Sequence, residues 1–423
     1  MELYINPEPS SLPALTQRKL ADDLEIEGRV AEILRTVKEK GDEGLRKIVA
    51  GIDGFVPESF RVGEKEVDEA CEKLTESLKE SIREAYGRIH EFHSRQVPAE
   101  VRWDDGAGTV CRRRWVPIQN VGLYVPGGSA PLFSTLLMLA IPAKIAGCGR
   151  IVLCTPAGRD GKVAPAVLFA AKLCGLTEIF AIGGSQAIAA MAYGTQSVPK
   201  VDKIFGPGNR YVLKAKQAVS REGTAIDMPA GPSEVMVLAD GSAVPEFVAA
   251  DLLSQAEHGP DSQVMLVCSD VSFAEKVSAC IESQKAVNPR VDIIDKALSH
   301  SRIIVLPERK DKIAFANLYA SEHLIISMED AESVADEITA AGSIFLGNYT
   351  PESAGDYASG TNHTLPTSGL ATAWSGLGTD SFMHAVTIQG ISREGLASLS
   401  GTIMEMAEAE GLDAHANAVR IRL

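Results

Sequence analysis

The spacing of apolar and polar residues changes near residue 121. Up to Val97, charged and apolar residues alternate at helical spacing, and Asp53, Gly54 and Pro57 interrupt the pattern. Beyond residue 121, short apolar runs rich in branched residues alternate with Ala-rich helical stretches. We expect strands at the runs IVLCTP (Ile151–Pro156), EIFAIGG (Glu178–Gly184), KIFG (Lys203–Gly206), EVMVLAD (Glu234–Asp240), QVMLVCS (Gln263–Ser269), RIIVLP (Arg302–Pro307), HLIIS (His323–Ser327) and SIFLG (Ser343–Gly347).

Continuous apolar strands separated by helices indicate parallel sheets that are covered on both faces. Because one sheet would not hold so many strands, we predict an α/β fold with two Rossmann-like parallel-sheet domains and small N- and C-terminal helical segments. Gly- and Pro-rich joins at 121–131 and 228–234 bracket a candidate inserted domain. After Gly347 the chain is irregular through Asn348–Gly369, and a loop of this length usually carries function. A helix is expected at 392–411.

Composition and charge favour a globular protein that acts on small molecules. The 423 residues are 45% hydrophobic and 23% charged, enough for two or more domains. The formal charge is -15 with no basic block, so nucleic acid and anionic membranes are not expected partners. The start, MELYINPEPSS, does not have the pattern of a signal peptide, and the apolar run at 132–148 is too short to span a bilayer. Because the 7 cysteines also contain no Cys-x-x-Cys pair, we expect a cytoplasmic protein with reduced thiols.

One apolar stretch ends in a pair of candidate metal ligands. Gln255 and His258 lie three residues apart after the run FVAADLLS, so on a helix they would share a face. His90 and His93 have the same spacing, but they lie in a charged stretch where we expect a solvated helix face. The apolar context therefore favours the first pair as the metal site.

Glu322 and His323 are candidates for acid-base chemistry. Neighbours in a strand point to opposite faces, so these two share a site only if the backbone is irregular where they lie. His323 is either a hydrogen-bonded core residue or, with Glu322 beside it, an acid-base group. Two oxygen and two nitrogen donors without a thiolate, suited to Zn²⁺ and compatible with Mn²⁺ or Co²⁺, would come from Gln255, His258, Asp356 and His415.

Three turns between predicted strands and helices are rich in glycine. They contain Gly127 with Gly128, Gly183 with Gly184, and GPGN from Gly206 to Asn209. Such turns let a backbone approach phosphate groups, so dinucleotide binding is one interpretation. The dinucleotide fingerprint G-x-G-x-x-G is incomplete, and glycines that merely end strands are the other interpretation.

Several long motifs in the same order resemble the histidinol dehydrogenase family from roughly residue 20 to the C-terminus. They are VGLYVPGGSAPLFSTLLMLAIPAKIAGC, KIFGPGN, IDMPAGPSE, DLLSQAEHGPDSQ, SEHLI, AGDYASGTNHTLPT and EGLDAHANAVRIR. The resemblance implies an NAD-dependent, zinc-containing homodimer. It also implies that the enzyme oxidises L-histidinol through L-histidinaldehyde to L-histidine, reducing two NAD⁺, in the last steps of histidine synthesis.

The resemblance further implies roles for individual residues. The implied zinc ligands are Gln255, His258, Asp356 and His415. The implied acid-base pair is Glu322 and His323. The implied substrate contacts are Ser233, Gln255, His258, His323, Asp356, Tyr357, His363, Glu410 and His415, and the implied cofactor contacts are Tyr124, Gln186 and Asn209. The tail with Glu410 and His415 would complete the partner subunit's site.

The residue types fit this chemistry. His323 can take the hydroxyl proton as hydride leaves for nicotinamide, and Glu322 can deprotonate the water that adds to the aldehyde. Zinc would hold the substrate's imidazole and amine and so orient it. Cys111 and Cys148 offer a thiohemiacetal alternative, but cysteines without an adjacent base more often pack in a core.

The Gly- and Pro-rich joins and the family resemblance together predict how the chain divides into domains. It comprises an N-terminal segment (1–20) that packs with the C-terminal region, a main α/β domain (21–123 and 233–375) with the metal and acid-base residues, an inserted α/β domain (124–232) that binds NAD, and a C-terminal helical dimerisation region with the tail (376–423).

Three other functions remain open at this point. They are a sister dehydrogenase of another polar alcohol such as a sulfonated diol, a zinc hydrolase with Glu322 as base, and a non-catalytic NAD-binding scaffold.

Overall fold

The computed structural model describes residues 1–18, 24–127 and 131–423. Gly128, one of the predicted turn glycines, and the end of the predicted N-terminal segment at 19–20 lie outside the described residues. The strands are β1 (Glu2–Ile5), β2 (Val101–Asp104), β3 (Thr109–Pro117), β4 (Asn120–Tyr124), β5 (Arg150–Thr155), β6 (Glu178–Ala181), β7 (Lys203–Phe205), β8 (Ala225–Ile226), β9 (Glu234–Ala239), β10 (Gln263–Cys268), β11 (Arg302–Val305), β12 (His323–Ser327), β13 (Ser343–Leu346) and β14 (Met383–Ile391).

Helices connect most of these strands, and the first long one is interrupted at Gly41, whose φ is 55°. The helices are α1 (Leu12–Leu15), α2 (Leu24–Asp53), α3 (Glu64–Glu72), α4 (Glu76–Ser94), α5 (Phe133–Ala146), α6 (Pro165–Leu173), α7 (Gly184–Tyr193), α8 (Arg210–Arg221), α9 (Pro245–Ala256), α10 (Val271–Lys285), α11 (Val291–Leu298), α12 (Arg309–Tyr319), α13 (Ala331–Ala335), α14 (Glu352–Tyr357), α15 (Arg393–Ala409) and α16 (Asp413–Arg420).

Two parallel sheets confirm the predicted α/β class. One has six strands in the order β1-β11-β10-β9-β12-β13, and the other has five in the order β6-β5-β4-β7-β8. Every residue of β9 and β10 is buried, as expected for strands covered on both faces. The predicted apolar runs all form strands. The antiparallel sheet β14-β3-β2 was missed, since its strands carry exposed and charged positions instead of an apolar run.

In each parallel sheet, successive strands are added first on one side of a central strand and then on the other. This central strand is β4 in the five-stranded sheet and β9 in the six-stranded sheet. Ligands of such sheets bind where the direction reverses. The carboxyl ends of β4 and β7 face the amino ends of β9 and β12 across one cavity, whose lining includes Gly127, Asn209, Ser233 and His323. The site therefore lies between the two sheets.

The structure differs from the predicted domain division at the start of the inserted domain and in the position of α2. β4 is the central strand of the five-stranded sheet, so a boundary at residue 124 cuts through that unit. Helix α2, predicted to belong with the six-stranded sheet, packs Val30, Leu34 and Val37 against α7 of the five-stranded unit. The physical reason is that the apolar face of this helix is buried in the core of that unit.

The prediction placed the N-terminal segment with the C-terminal region, whereas its described residues pack on the six-stranded sheet. There β1 pairs in parallel with β11, and Leu15 lies in the core beneath that sheet. The C-terminal region begins with β14, which pairs with β3, and continues into α15 and α16, which contact each other. Among the described residues, no helix combines the length and apolar character needed to cross a membrane.

Candidate active site

A cavity of about 1040 Å³ collects most of the predicted catalytic residues. Its walls come from the turns after β4 and β7, the loop before β9, the end of α9, the start of β12 and the C-terminal end of α14. The predicted site residues in its lining are Ser233, His258, Glu322, His323, Asp356, Tyr357 and His363. The geometry thus brings together residues that are up to 130 positions apart in the sequence.

Glu322 and His323 share this site because the backbone before β12 is irregular. In a regular strand the two neighbouring side chains would point to opposite faces. Ala320 ends α12 with a φ of 50°, and β12 begins only at His323. The main-chain N–H of Glu234 donates to Oε2 of Glu322 at 2.8 Å. Nδ1 of His323 lies 3.1 Å from the carbonyl oxygen of Glu234 and 3.7 Å from Oε2 of Glu322.

Burial perturbs both members of this pair. Burial is the main cause that raises the pKa of Glu322 well above its usual value, with further contributions from the charges of Glu234 and Asp356. Burial lowers the pKa of His323 to about 4, so its imidazole is neutral at physiological pH. Nε2 of His323 is buried and has no hydrogen-bond partner among the described residues. That atom is available to take a proton.

The predicted pair Gln255 and His258 lies at the end of α9. Gln255 is fully buried, whereas His258 follows the helix and reaches the cavity. The amide of Gln255 satisfies its hydrogen bonds only with its nitrogen toward Glu352, 3.1 Å from Oε2. The other end of the amide, its oxygen, then lies on the side of His258, whose Nδ1 is 3.4 Å from the amide. The oxygen and the imidazole therefore face each other.

The long polar loop contains the short helix α14, which the sequence did not predict. Asp356, near its end, lies with Oδ1 3.9 Å from Nε2 of His323 and 3.8 Å from Nδ1 of His363. His363 is held in turn by the carbonyl of Asp356 at 2.9 Å and by the hydroxyl of Thr135 at 3.1 Å. Tyr357 is 54% exposed at the mouth of the cavity. The loop thus places a carboxylate, a phenol and an imidazole at the cavity.

The donor groups fit a divalent cation. Ligand atoms of His323, Glu352 and Asp356 lie within 4.8 Å of one another, and His258 lines the same cavity. Burial and neighbouring carboxylates raise the pKa of Glu352 well above its usual value, and burial raises that of Asp251 to about 7. Buried carboxylates that repel each other are stabilised by a bound cation, and nitrogen and oxygen donors without thiolate suit zinc.

Glu352 and Asp356 differ in how they meet this cavity. Asp356 lines it, whereas Glu352 is 1% exposed, does not line it and is engaged by the amide of Gln255. Asp356 therefore faces the cavity directly, whereas Glu352 meets it through the amide of Gln255.

Two predicted substrate residues lie away from the cavity. Glu410 and His415 are exposed on the region of α15 and α16, and neither is among the residues that line the cavity. Within one chain, the structure does not bring them to His258 or Asp356.

The pair His90 and His93 is not a solvated face, which corrects the sequence interpretation. His93 is fully buried, with Nδ1 bound to the carbonyl of Ile89 at 2.8 Å and Nε2 3.2 Å from the amide of Asn362. Only His90 is exposed. Because both ring nitrogens of His93 are engaged, this pair is not a metal site.

A second cavity, of about 1390 Å³, lies at the carboxyl ends of β4 and β6. The predicted cofactor residues Tyr124, Gln186 and Asn209 all line it, together with Gly183 and Gly184. The hydroxyl of Tyr124 accepts a hydrogen bond from the N–H of Gly184 at 3.0 Å. The lining of this cavity continues into the first one, since Gly127, Asn209 and Tyr211 line both. Its size, its place where the chain order reverses and the adjacent helix N-termini fit a dinucleotide.

The turn GPGN is fixed by a buried ion pair. Lys216 and Asp227 form this pair, and Lys216 Nζ donates to the carbonyl of Gly206 at 2.8 Å. Oδ2 of Asp227 accepts from the N–H of Gly206 at 2.7 Å. Gly206 has a φ of 125°, and a Cβ there would lie 2.0 Å from the carbonyl oxygen of Tyr124, so only glycine fits. The turn that carries Asn209 is therefore rigid.

Sequence reasoning missed two residues that contact the site. Glu352 lies four positions before Asp356 in α14, and recognition of that short helix would have placed both on one face. Glu234 contacts the acid-base pair through its main chain, for which a sequence offers no signal.

Known proteins resemble this chain along almost its whole length. A profile of the family described as histidinol dehydrogenase matches residues 16–423. The histidinol dehydrogenases of Vibrio parahaemolyticus and Salmonella typhimurium are 49% and 50% identical over 411 residues, which cover 97% of this chain and 94% of each relative. The chain belongs to the histidinol dehydrogenase family.

Other relatives agree with this membership. The crystal structure of histidinol dehydrogenase from Elizabethkingia anophelis superposes with a TM-score of 0.97 at 47% identity, covering 100% of this chain and 98% of that one. A bifunctional histidine biosynthesis protein of Photorhabdus laumondii is 51% identical over 97% of this chain, which spans 50% of that longer protein.

Histidinol dehydrogenases oxidise histidinol to histidine in histidine biosynthesis, and the family uses NAD and a zinc ion. The expectation of an oxidoreductase of histidine biosynthesis is therefore confirmed. This result excludes the hypotheses of a zinc hydrolase and of a non-catalytic scaffold. Histidinol and NAD are the substrate and cofactor of the histidinol dehydrogenase family.

Proposed function

We propose that Glu322 and His323 are the acid-base residues for oxidation of L-histidinol through L-histidinaldehyde to L-histidine. The observation that carries this proposal is the geometry of His323, with Nδ1 at the carbonyl of Glu234 and an unpartnered Nε2. Nε2 takes the hydroxyl proton in the first oxidation and releases it to solvent before the second. Glu322 deprotonates the water that adds to the aldehyde, and Nε2 takes a proton from the resulting diol. Bound zinc would orient the substrate, and each of two NAD molecules would accept one hydride.

The metal and substrate residues are proposed as follows. His258 and Asp356 line the cavity, and the amide of Gln255 lies 3.4 Å from His258, so these three supply this chain's donors to zinc. Ser233, Tyr357 and His363 line the same cavity and contact the substrate. The unit around the five-stranded sheet binds NAD in the cavity lined by Tyr124, Gln186 and Asn209, and the unit around the six-stranded sheet carries the metal and acid-base residues.

The C-terminal tail is proposed to complete the site of the partner subunit in a homodimer. His415 and Glu410 are exposed and do not line their own chain's cavity, although one is expected to bind zinc and the other the substrate. A tail that extends to a neighbouring copy removes this separation.

Subunit complementation tests this arrangement. The variants His258→Asn and His415→Asn are each expected to be nearly inactive as homodimers. Mixed and reassembled, they recover part of the activity, because one site of each heterodimer then combines an intact body with an intact tail. Heterodimers that form and stay inactive would place His415 in its own subunit's site.

A further inference from the structure

Glu234 links three parts of the molecule that lie far apart in the sequence. It is the first residue of β9 and is 2% exposed. Its main-chain N–H donates to Oε2 of Glu322 at 2.8 Å, and its main-chain carbonyl is 3.1 Å from Nδ1 of His323. The two peptide groups of one residue thus hold both members of the acid-base pair.

The carbonyl contact determines which nitrogen of His323 carries the proton. A carbonyl oxygen only accepts hydrogen bonds, so Nδ1 must be the donor and Nε2 is unprotonated in the neutral ring. Nε2 has no hydrogen-bond partner among the described residues and lies 3.9 Å from Oδ1 of Asp356. The orientation of the Glu234 carbonyl therefore selects the tautomer that can act as a base.

The side chain of Glu234 is fixed by Arg18, a residue near the N-terminus. Nε and Nη2 of Arg18 each donate to one carboxylate oxygen of Glu234 at 2.9 Å, and the N–H of Ser368 donates to the same carboxylate at 3.1 Å. Arg18 Nη2 also donates to the carbonyl of Tyr319 at 2.7 Å, and its guanidinium lies 3.8 Å from the centre of the Tyr319 ring. A two-pronged pair of this kind fixes orientation as well as distance.

We propose that Arg18 and Glu234 are positioning residues for the oxidation. Their ion pair keeps the peptide groups of Glu234 in the orientation that holds Glu322 and keeps His323 as the Nδ1–H tautomer. Neither residue is among those lining the two cavities, so both act through other residues and not on the substrate. The inference rests on the proposed roles of Glu322 and His323.

Substitution of Arg18 could lower activity simply by detaching the N-terminal segment. Arg302 supplies a matched control for this effect. Nη1 of Arg302 donates to the carbonyls of Leu15 and Gln17 at 2.9 and 3.2 Å. The variant Arg302→Gln therefore weakens attachment of the same segment and leaves the pair of Arg18 with Glu234 in place. The variant Arg18→Lys retains the positive charge but loses the planar fork.

The experiment combines kinetics with ¹⁵N NMR of histidine-labelled, zinc-loaded enzyme without substrate, in which the His323 signal is identified by its loss in His323→Asn. We expect Arg18→Met to lower kcat about 10- to 100-fold, with KM for histidinol and NAD changed less than about threefold. Its His323 signal should show the Nε2–H tautomer beside the Nδ1–H form. Arg18→Lys should lie between Arg18→Met and the unchanged protein, and Arg302→Gln should match the unchanged protein in both readouts.

The proposal is overturned if Arg18→Met retains a single Nδ1–H tautomer, or if Arg302→Gln loses as much kcat as Arg18→Met. If Arg18→Met does not fold, Arg18→Lys decides, and an unchanged kcat and tautomer in that variant would contradict the proposal. Turnover that persists in His323→Asn would count against the proposed function. The tautomer is measured without substrate, so it would still test the positioning role of Arg18 in that case.

Discussion

Glu352 accepts a hydrogen bond from the side-chain amide of Gln255, whose nitrogen lies 3.1 Å from Oε2 of Glu352. This contact turns the amide oxygen toward the side of the site where His258 lies, with Nδ1 3.4 Å from the amide. Glu352 is 1% exposed, so water does not replace it as the acceptor. The orientation of the buried Gln255 amide, a proposed zinc donor, is therefore controlled by a residue that does not line the cavity.

Replacing Glu352 should weaken zinc binding. Glu352→Gln removes the carboxylate that orients Gln255, and loss of such a supporting partner typically lowers metal affinity about 10- to 100-fold. Competition with a chromophoric chelator measures the dissociation constant directly. Glu246→Gln, an exposed change near the start of the same helix as Gln255, is the control and should leave the affinity unchanged. Equal zinc affinities in all three proteins would show that Glu352 does not orient the amide.

The pKa of His323 gives a prediction about acid pH. Burial lowers this pKa to about 4, so in zinc-free protein the His323 NMR signal should not titrate between pH 8 and about 5. The pKa is depressed by folding, so the stability contributed by neutral His323 is fully present above the unfolded pKa of about 6.5 and is lost as the pH falls toward 4. A His323 signal that titrates near pH 6.5 would contradict this.

Much of the fold could be predicted because buried parallel strands are continuous apolar runs. The strands from β9 to β13 were predicted for this reason, whereas β1 was missed because its pairing with β11 joins residues about 300 positions apart. The position of α2 was also missed, since an apolar helix face does not indicate which sheet will cover it.

The candidate site was predictable only where chemistry lies in side chains. Gln255, His258, Glu322 and His323 were found from residue types and motifs, and apart from Gln255 they line one cavity. Main-chain contacts, such as those of Glu234, depend on tertiary structure and leave no pattern of residue types. The partner of the tail depends on a second chain, for which one sequence provides no geometry.

The buried pair of Lys216 and Asp227 should matter for cofactor binding. Lys216→Met leaves the carboxylate of Asp227 buried without its cation, which costs about 3–5 kcal/mol, and frees the carbonyl of Gly206. We expect the dissociation constant for NAD, measured by isothermal titration, to rise about tenfold as Asn209 loses its fixed position.

A double variant separates stability from cofactor binding. Lys216→Met with Asp227→Asn removes both charges, so the unfolding temperature should recover part of the loss. NAD binding should stay weak because the carbonyl of Gly206 still lacks its donor. Recovery of both properties together would mean that the pair acts through stability alone.

Glu322 and His323 should affect the two oxidation steps differently. Glu322→Gln removes the base for water addition, and we expect oxidation of histidinaldehyde to fall about 100-fold or more while oxidation of histidinol falls less. His323→Asn should reduce both steps, because Nε2 serves in each. Single-turnover measurements starting from histidinol and from histidinaldehyde give the two rates separately. Equal losses of both steps in Glu322→Gln would remove the proposed division of roles.

The most direct test of the account measures NADH and histidine formed from L-histidinol by the zinc-loaded enzyme, by the chelated enzyme and after zinc is returned. The account predicts about two NADH per histidine, loss of turnover on chelation and its recovery with zinc. One NADH per histidinol with accumulation of aldehyde, or turnover that persists without metal, would contradict it.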